Sequence, residues 1–388
     1  MALELNGSTG VSLVQDGVVT AADLASGAAA GNLGFTPVAA SDIMGRNRII
    51  NGDMRIDQRN AGASVTIVSG GANYAIDRFA TLVNTSEATT CSIQRVSDAP
   101  ANFSNSYKFT TGTGAAGTGS QQARFYQPVE GLNVDDFAWG TANAKTVTLS
   151  FYVKASQSGT FGGCLRNDGG TRSYPFTYSI SATNTWEYKT VTIPGDTTGT
   201  WLKDNGIGIL VFFDLGSGPN FLGTPNSWAA ANYLGATGGT STVAVSSATW
   251  QITGVQLEVG SVATPFERRP YGAELALCQR YYWRVNATTG ADMGVGFNAI
   301  TTASRICLIP PVQLRTNPAA LETTGTATDY SVRHANTTTT CSVVPAIFGN
   351  STVNNLMITL TVASGLTAGQ GCSLRANGTA FLGWSAEL

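Results

Sequence analysis

The side chains able to do chemistry in this 388-residue chain are few and widely spaced. The only histidine is His334, in SVRHANTT. Any Ser-His-Asp or Cys-His centre would have to use it, and no G-x-S-x-G elbow lies beside it. One imidazole and no paired cysteines exclude a zinc site of the usual kind. GTGAAGTGS is glycine-rich, but no K-[ST] follows, so it reads as a turn rather than a phosphate loop. Glycoside hydrolysis needs two carboxylates across a cleft. Asp135, Asp136, Asp168, Asp196, Asp214 and Glu258 are candidates, yet spacing alone brings no two of them together. The reading is of a chain that is not an enzyme.

Binding chemistry is better supplied. Recognition of a pyranose calls for an aromatic platform beneath its C–H face and planar polar groups at its hydroxyl edge. In KTVTLSFYVKAS, Val147, Leu149, Phe151 and Val153 share one parity, so Tyr152 and Lys154 point the other way. By the same rule Gln256 and Glu258 oppose Val255 and Leu257. Arg166, Asp168 and Arg172 fall in or beside a turn at a strand end. These residues are candidates for one binding face; the competing reading makes them ordinary solvated or interface residues. Trp139, Trp201 and Trp228 sit in loop-like contexts and are expected to be exposed, whereas Trp186 and Trp250 are expected in the core.

The elements that must position these groups are strands. Residues 46–270 alternate with period two, and turn signals (NDGG, PGDTTG, GSGPN) separate the runs. GIGILVFFDLG is continuously apolar from Ile207 to Phe213, as expected of a strand covered on both faces. WQITGVQLEVG changes parity midway, which predicts a β-bulge at Gly254. Asp77 and Arg78, in YAIDRF, stand side by side at a strand entry, where a charged pair can cap or cross-link a sheet. Glu274–Tyr282 predicts about two turns of helix leading into a strand at Tyr281–Val285. Residues 271–388 return to β patterning and predict a second, smaller sandwich. The expected class is all-β: an N-terminal segment (1–45), a central jelly-roll sandwich (46–270) and a C-terminal β-sandwich (271–388).

Composition agrees. Charged residues make up only 12 % and glycines number 45, the make-up of strands, tight turns and an amide- and hydroxyl-covered surface. A net charge of −2 supplies no basic field for nucleic acid. No run approaches the ~18 apolar residues that span a bilayer, so no membrane insertion is expected. MALELNGSTG carries Glu4 where a signal peptide has a cationic start, which predicts synthesis and assembly in a cytosol. The six cysteines are scattered and are expected as buried apolar groups rather than disulfides. Residues 1–45, rich in Ala, Gly and Ser, cannot bury enough surface to fold alone. A short helix can start at Thr20 and stop at Gly27. The segment reads either as a free leader or as one ordered by packing on copies of itself or on a docking partner.

Three stretches together resemble bacteriophage fibre and tailspike-type virion proteins: NRIINGDMRIDQRN with YAIDRF, TWEYKTVTIPGDTTGTW, and TGVQLEVGSVATPFERRPYGAELALCQRYYWR. The terminal FLGWSAEL and the opening DG-V-TA-ADLA…NLGFTPV resemble the ends of such proteins. Through IINGDM and GVQLEVG the centre also resembles carbohydrate-binding jelly rolls found beside glycoside hydrolases. The resemblance implies a homotrimeric virion protein. It would be anchored to other phage proteins by residues 1–45, project its β modules outward as far as a C-terminal tip, and bind host-surface polysaccharide. A structural head fibre, decoration or adaptor protein is the alternative within the same resemblance, and a polysaccharide-degrading tailspike a third. Related jelly rolls hold a structural Ca²⁺ near the opening and closing strands, which points to Asp53 and Glu258. Arg55 stands where a further acid would be expected. No other cofactor is implied.

Overall fold

The computed structural model describes residues 45–84 and 90–388; the expectations for residues 1–44 lie outside the described residues. Residues 45–388 pack as one unit. Fourteen strands build its first part. They begin with β1 (Val65–Thr66), β2 (Asn73–Ile76), β3 (Phe79–Asn84), β4 (Ser92–Val96) and β5 (Ser106–Thr110). Next come β6 (Gln122–Glu130), β7 (Val147–Ala155), β8 (Gly159–Arg166), β9 (Ser173–Ile180) and β10 (Glu187–Ile193). The last are β11 (Ile207–Asp214), β12 (Leu222–Gly223), β13 (Gly235–Ala236) and β14 (Thr249–Val259). Two six-stranded sheets result, β1-β4-β5-β14-β7-β10 and β2-β3-β6-β11-β8-β9. Successive strands cross repeatedly between the sheets, as in a jelly roll.

Strand parity decides what lies between the sheets. Leu149, Phe151 and Val153 from β7 meet Phe161, Phe176 and Phe213 from the second sheet, all fully buried. An aromatic chain crosses the centre: Phe125 stacks on Phe79 at 4.8 Å and on Tyr107 at 4.1 Å, with Trp250 edge-on at 5.7 Å. The buried polar tips are paired, Trp250 Nε1 donating to the Tyr178 hydroxyl at 3.2 Å. The strand β11 is buried on both faces. Its outer side, Leu210 and Phe212, is covered by Leu234 and Tyr233 from the long β11–β14 connection.

The opening and closing motifs lie side by side. Arg48 N donates to Leu257 O and Val255 N to Gly52 O, both at 2.9 Å. Asn47 bridges the two segments, donating Nδ2 to Val255 O at 3.0 Å and accepting from Leu257 N at 3.1 Å. Glu267 accepts the amides of Gly45 and Asn47 at 2.7 Å each. NGDM turns through left-handed conformations at Asn51 and Met54. There Asn51 fixes the turn by exchanging hydrogen bonds with Ile56 at 2.9 Å.

A helix, α1 (Tyr271–Gln279), follows Pro270 and leads into nine further strands. They are β15 (Tyr282–Ala287), β16 (Asp292–Ile300), β17 (Ala303–Leu308), β18 (Leu321–Glu322) and β19 (Tyr330–His334), then β20 (Thr337–Ile347), β21 (Leu356–Val362), β22 (Gly371–Ala376) and β23 (Ala380–Ser385). Here the β class takes a particular form: β16-β17-β21-β20-β19-β22 closes into a barrel, with the sheet β15-β23-β18 beside it. Closure removes the free edges that an open sheet of this size would present. Trp283 and Trp384 stack at 5.0 Å across β15 and β23.

Arg78 acts between these two parts rather than as a cap, while Asp77 accepts from Gln58 N at 3.1 Å and Gln58 Nε2 at 2.6 Å within the first. Arg78 is buried and pairs with Glu387, stands 3.5 Å from the Tyr281 ring, and donates to Pro128 O at 2.8 Å. Arg59 lies 3.4 Å from the Tyr282 ring and within 3.6 Å of Glu387. Glu130 accepts from Arg280 at 2.6 and 3.0 Å and from the Tyr281 hydroxyl. Cys278 and Tyr281 pack on Ile50 and Ile56 beneath this polar layer. Among the described residues no helix is long and apolar enough to cross a membrane, and all six cysteines are free.

Candidate functional site

The bulge at Gly254 shapes the outer face of the first sheet. The β14–β7 ladder slips between Thr253 and Gln256, and Gly254 adopts φ +62°. A Cβ there would stand 2.8 Å from the Phe103 ring and 3.1 Å from Tyr152. Glycine therefore lets Phe103, from the β4–β5 loop, close over the strand. Around this point opens a groove of about 650 Å³, within the ~300–1,000 Å³ of small-ligand sites. Ser150 and Tyr152 of β7 and Tyr188 of β10 form one side; Asn102, Phe103, Thr264, Phe266 and Arg268 from two loops form the other.

The rings make a continuous wall. Tyr152 lies 4.9 Å from Tyr188 and 5.4 Å from Phe103, and Phe103 lies 5.3 Å from Phe266. Arg268 stands 4.7 Å over Phe103. Next to Tyr152 along β7, Lys154 pairs with Asp98 and sits 5.1 Å over the Trp186 ring. Trp186 Nε1 donates to Asp98 at 3.3 Å. Burial pushes the Asp98 carboxyl up, but its bonds from Lys154 and Trp186 outweigh this and hold it below the usual range. The groove offers flat apolar rings, an amide, hydroxyls and one exposed guanidinium, and among the described residues its lining contains no carboxylate.

Of the residues expected to form one face, Tyr152 lines the groove and Lys154 adjoins it. Gln256 does not reach it: its side chain is fully buried and donates to Glu258 at 2.8 Å while its oxygen accepts Glu267 N at 2.8 Å. Parity placed it on the correct side, but the loop of residues 260–267 covers that part of the sheet. Arg166, Asp168 and Arg172 belong to the opposite sheet, at the β8–β9 turn. Arg172 is held by Asp196 through two bonds of 2.7 Å, and Asp168 is exposed.

The tryptophan expectations also change. Trp139 and Trp201 are buried and Trp228 half-buried. They pack edge to face at 4.7, 5.3 and 5.6 Å. Each indole N–H donates to a backbone carbonyl, of Lys145, Thr198 and Pro194 respectively. Long connections that look exposed in sequence are pinned down by these rings. Trp186, expected in the core, is half-buried on the outer face, while Trp250 is fully buried. Tyr188 shares Trp186's parity against Val191 and Ile193, so alternation could have found both. Phe103 and Phe266 lie in loops, where alternation carries no signal.

Asp53 and Glu258 do not fit a calcium ion. Asp53 pairs with Arg55, and Glu258 pairs with Arg46 at 3.3 Å and accepts from Thr264. Guanidinium groups stand where a hard cation would need free oxygens. Among the described residues no group of three or more His, Cys, Asp or Glu could hold a metal. His334 is turned toward Gln370 at 3.3 Å and Thr339 at 3.1 Å.

No protein-family model and no curated protein matches this chain. Several solved structures are similar over about half of it. The enzymatically active domain of tailspike protein 4 of bacteriophage CBA120 covers 55 % of the chain at 11 % identity, with a TM-score of 0.29. The match spans only 21 % of that tailspike chain. A putative sugar-binding protein from Bacteroides thetaiotaomicron matches over its full length and 55 % of this chain, at 14 % identity and a TM-score of 0.31. The family 11 carbohydrate-binding module from Clostridium thermocellum, in complex with a β-1,3-1,4-mixed-linked tetrasaccharide, matches over its full length and 53 % of this chain, at 13 % identity and a TM-score of 0.26. Likeness this remote decides nothing about ligand or activity.

Proposed function

We propose that this chain is a non-catalytic, glycan-binding bacteriophage virion protein of the tail-fibre, receptor-binding type, which holds host-surface polysaccharide in the groove beside Gly254. One observation carries the reading: four rings, Phe103, Tyr152, Tyr188 and Phe266, converge on a groove edged by Asn102, Ser150, Thr264 and Arg268. Rings of this kind take the C–H faces of sugars, and the polar edge takes their hydroxyls. Among the described residues the lining supplies no carboxylate pair of the kind glycoside cleavage uses, and the non-catalytic reading rests on that chemistry. The virion setting, the homotrimer and the docking of residues 1–45 on other phage proteins rest on the sequence resemblance. With them goes location in the particle after assembly in the host cytoplasm.

The test is adsorption. Purified protein is expected to bind host cells and to block phage attachment, and Tyr152→Ala to weaken binding to host polysaccharide by about tenfold or more. Firm incorporation into particles without any cell binding would support the structural, head-fibre reading instead. Release of reducing ends from host polysaccharide would establish an enzyme. Light scattering on the full chain should return three times the monomer mass.

A further inference from the structure

The outer face of the second sheet carries two guanidinium groups that form no direct ion pair with a carboxylate among the described residues. Arg124 projects from β6 and Arg166 from β8, the strands on either side of β11. Both stand over the ring of Phe212, each 5.1 Å from its centroid. The two cations therefore lie within about 10 Å of one another. Arg124 Nε is buried and has no hydrogen-bond partner among the described residues. Arg166 gives Nε to Asn167 O at 3.2 Å and Nη1 to the Asn232 side chain. Two described acids lie close by, and neither forms an ion pair with them. Asp214 lies opposite Arg124 in the ladder but accepts the amides of Gly216 and Ser217 at 3.2 and 2.8 Å. Asp168 is exposed at the turn, and its charge partly opposes the effect of burial on Arg166 without a direct ion pair between them.

Desolvating a cation without a counter-charge costs free energy, and a second like charge nearby adds to the cost. Burial pushes both guanidinium pKa values down, that of Arg124 to about 10. A planar anion would offset the cost, because guanidinium forks match carboxylate and phosphate oxygens. Phe212 supports the two planes from beneath, and Tyr126 stands beside it at 5.5 Å.

We propose that Arg124 and Arg166 form a second binding site, on the sheet opposite the groove, for a saccharide bearing a carboxylate or phosphate group. Calorimetry with tetragalacturonate, glucose 6-phosphate and uncharged maltotetraose tests it on the full chain. At least one of the two anions is expected to bind, and which one does so separates an acidic sugar from a phosphorylated one. Binding should weaken as salt is raised, since screening acts on the ionic contact. It should weaken about tenfold or more in Arg124→Gln and in Arg166→Gln, and remain unchanged in Tyr152→Ala. If the Gln variants do not fold, an anion-specific rise in Tm of the wild-type protein makes the same test. Failure of both anions to bind, equal binding of maltotetraose, or anion binding indifferent to both substitutions would overturn the proposal. Each outcome is read in Tyr152→Ala as well, so that sugar held in the groove is told apart from sugar held at the two arginines.

Discussion

Tyr152 and Trp139 show how little an aromatic residue's type says about its work. Tyr152 alternates with core residues along β7 and is therefore turned outward, beside Tyr188 and Phe103. Trp139 lies in a connection but is only 3 % exposed, its ring held between Trp201, Trp228 and Phe137. Trp139→Ala is expected to cost about 3–5 kcal/mol through the cavity it leaves. A urea titration should register that loss, while polysaccharide binding at saturating folded protein stays as in the wild type. Asp77 gives a prediction in pH. Burial outweighs the pull of Arg59 and pushes its carboxyl from 3.8 up to about 6. The folded state therefore binds the extra proton between those values, and stability falls as pH rises across that window. The loss attributable to Asp77 is at most about 3 kcal/mol. In Asp77→Asn, urea midpoints measured from about pH 4 to 7 should lose this component.

At the scale of elements, the bulge in β14 joins fold to site. Without the slip between Thr253 and Gln256, either Val255 and Leu257 or Trp250 and Ile252 would leave the core. The same residue, Gly254, admits Phe103 to the groove wall. Gly254→Ala is expected to cost about 1–2 kcal/mol for a left-handed backbone alone. It should also push Phe103 off Tyr152, so binding should fall even where the fold survives. A variant with wild-type Tm and wild-type affinity would contradict this account of the bulge. How much of the candidate site could be read beforehand follows element by element. Strand residues such as Tyr152 and Lys154 were legible because parity assigns a face. Phe103, Phe266 and Arg268 were not, because loops fold back over a sheet only as its neighbours dictate.

At the scale of the whole molecule, the sandwich and the barrel half meet through buried charge. Glu130, whose side chain is 1 % exposed, holds Arg280 and the Tyr281 hydroxyl. Burial alone would raise its carboxyl, but the bonds from Arg280 and Tyr281 prevail and hold it below the ordinary value of 4.5. Its stabilising effect is thus present above that value and is lost as pH falls through the lowered one. Glu130→Ala leaves Arg280 without its partner and is expected to cost about 3 kcal/mol. Amide exchange in α1 and β15 should quicken first, because those elements carry the ionic contact across the junction.

Local rules acting on the sequence alone determined the all-β class, the faces of β7, the two-sided burial of β11, the bulge at Gly254 and the presence of a short helix, which was expected over Glu274–Tyr282 and lies one turn earlier, at Tyr271–Gln279. Each of these follows from backbone geometry and the period of the side chains, which neighbours a few residues apart impose. Tertiary structure alone decided the closure of the C-terminal strands into a barrel, the burial of Trp139 and Trp201, and the separation of Arg166 and Arg172 from Tyr152 onto opposite sheets. It also brought Arg78 to Glu387, 309 residues along the chain. Those outcomes depend on which strand pairs with which, and on where long connections come to rest. Period-two alternation tells the two faces of a strand apart; it does not say which sheet the strand enters.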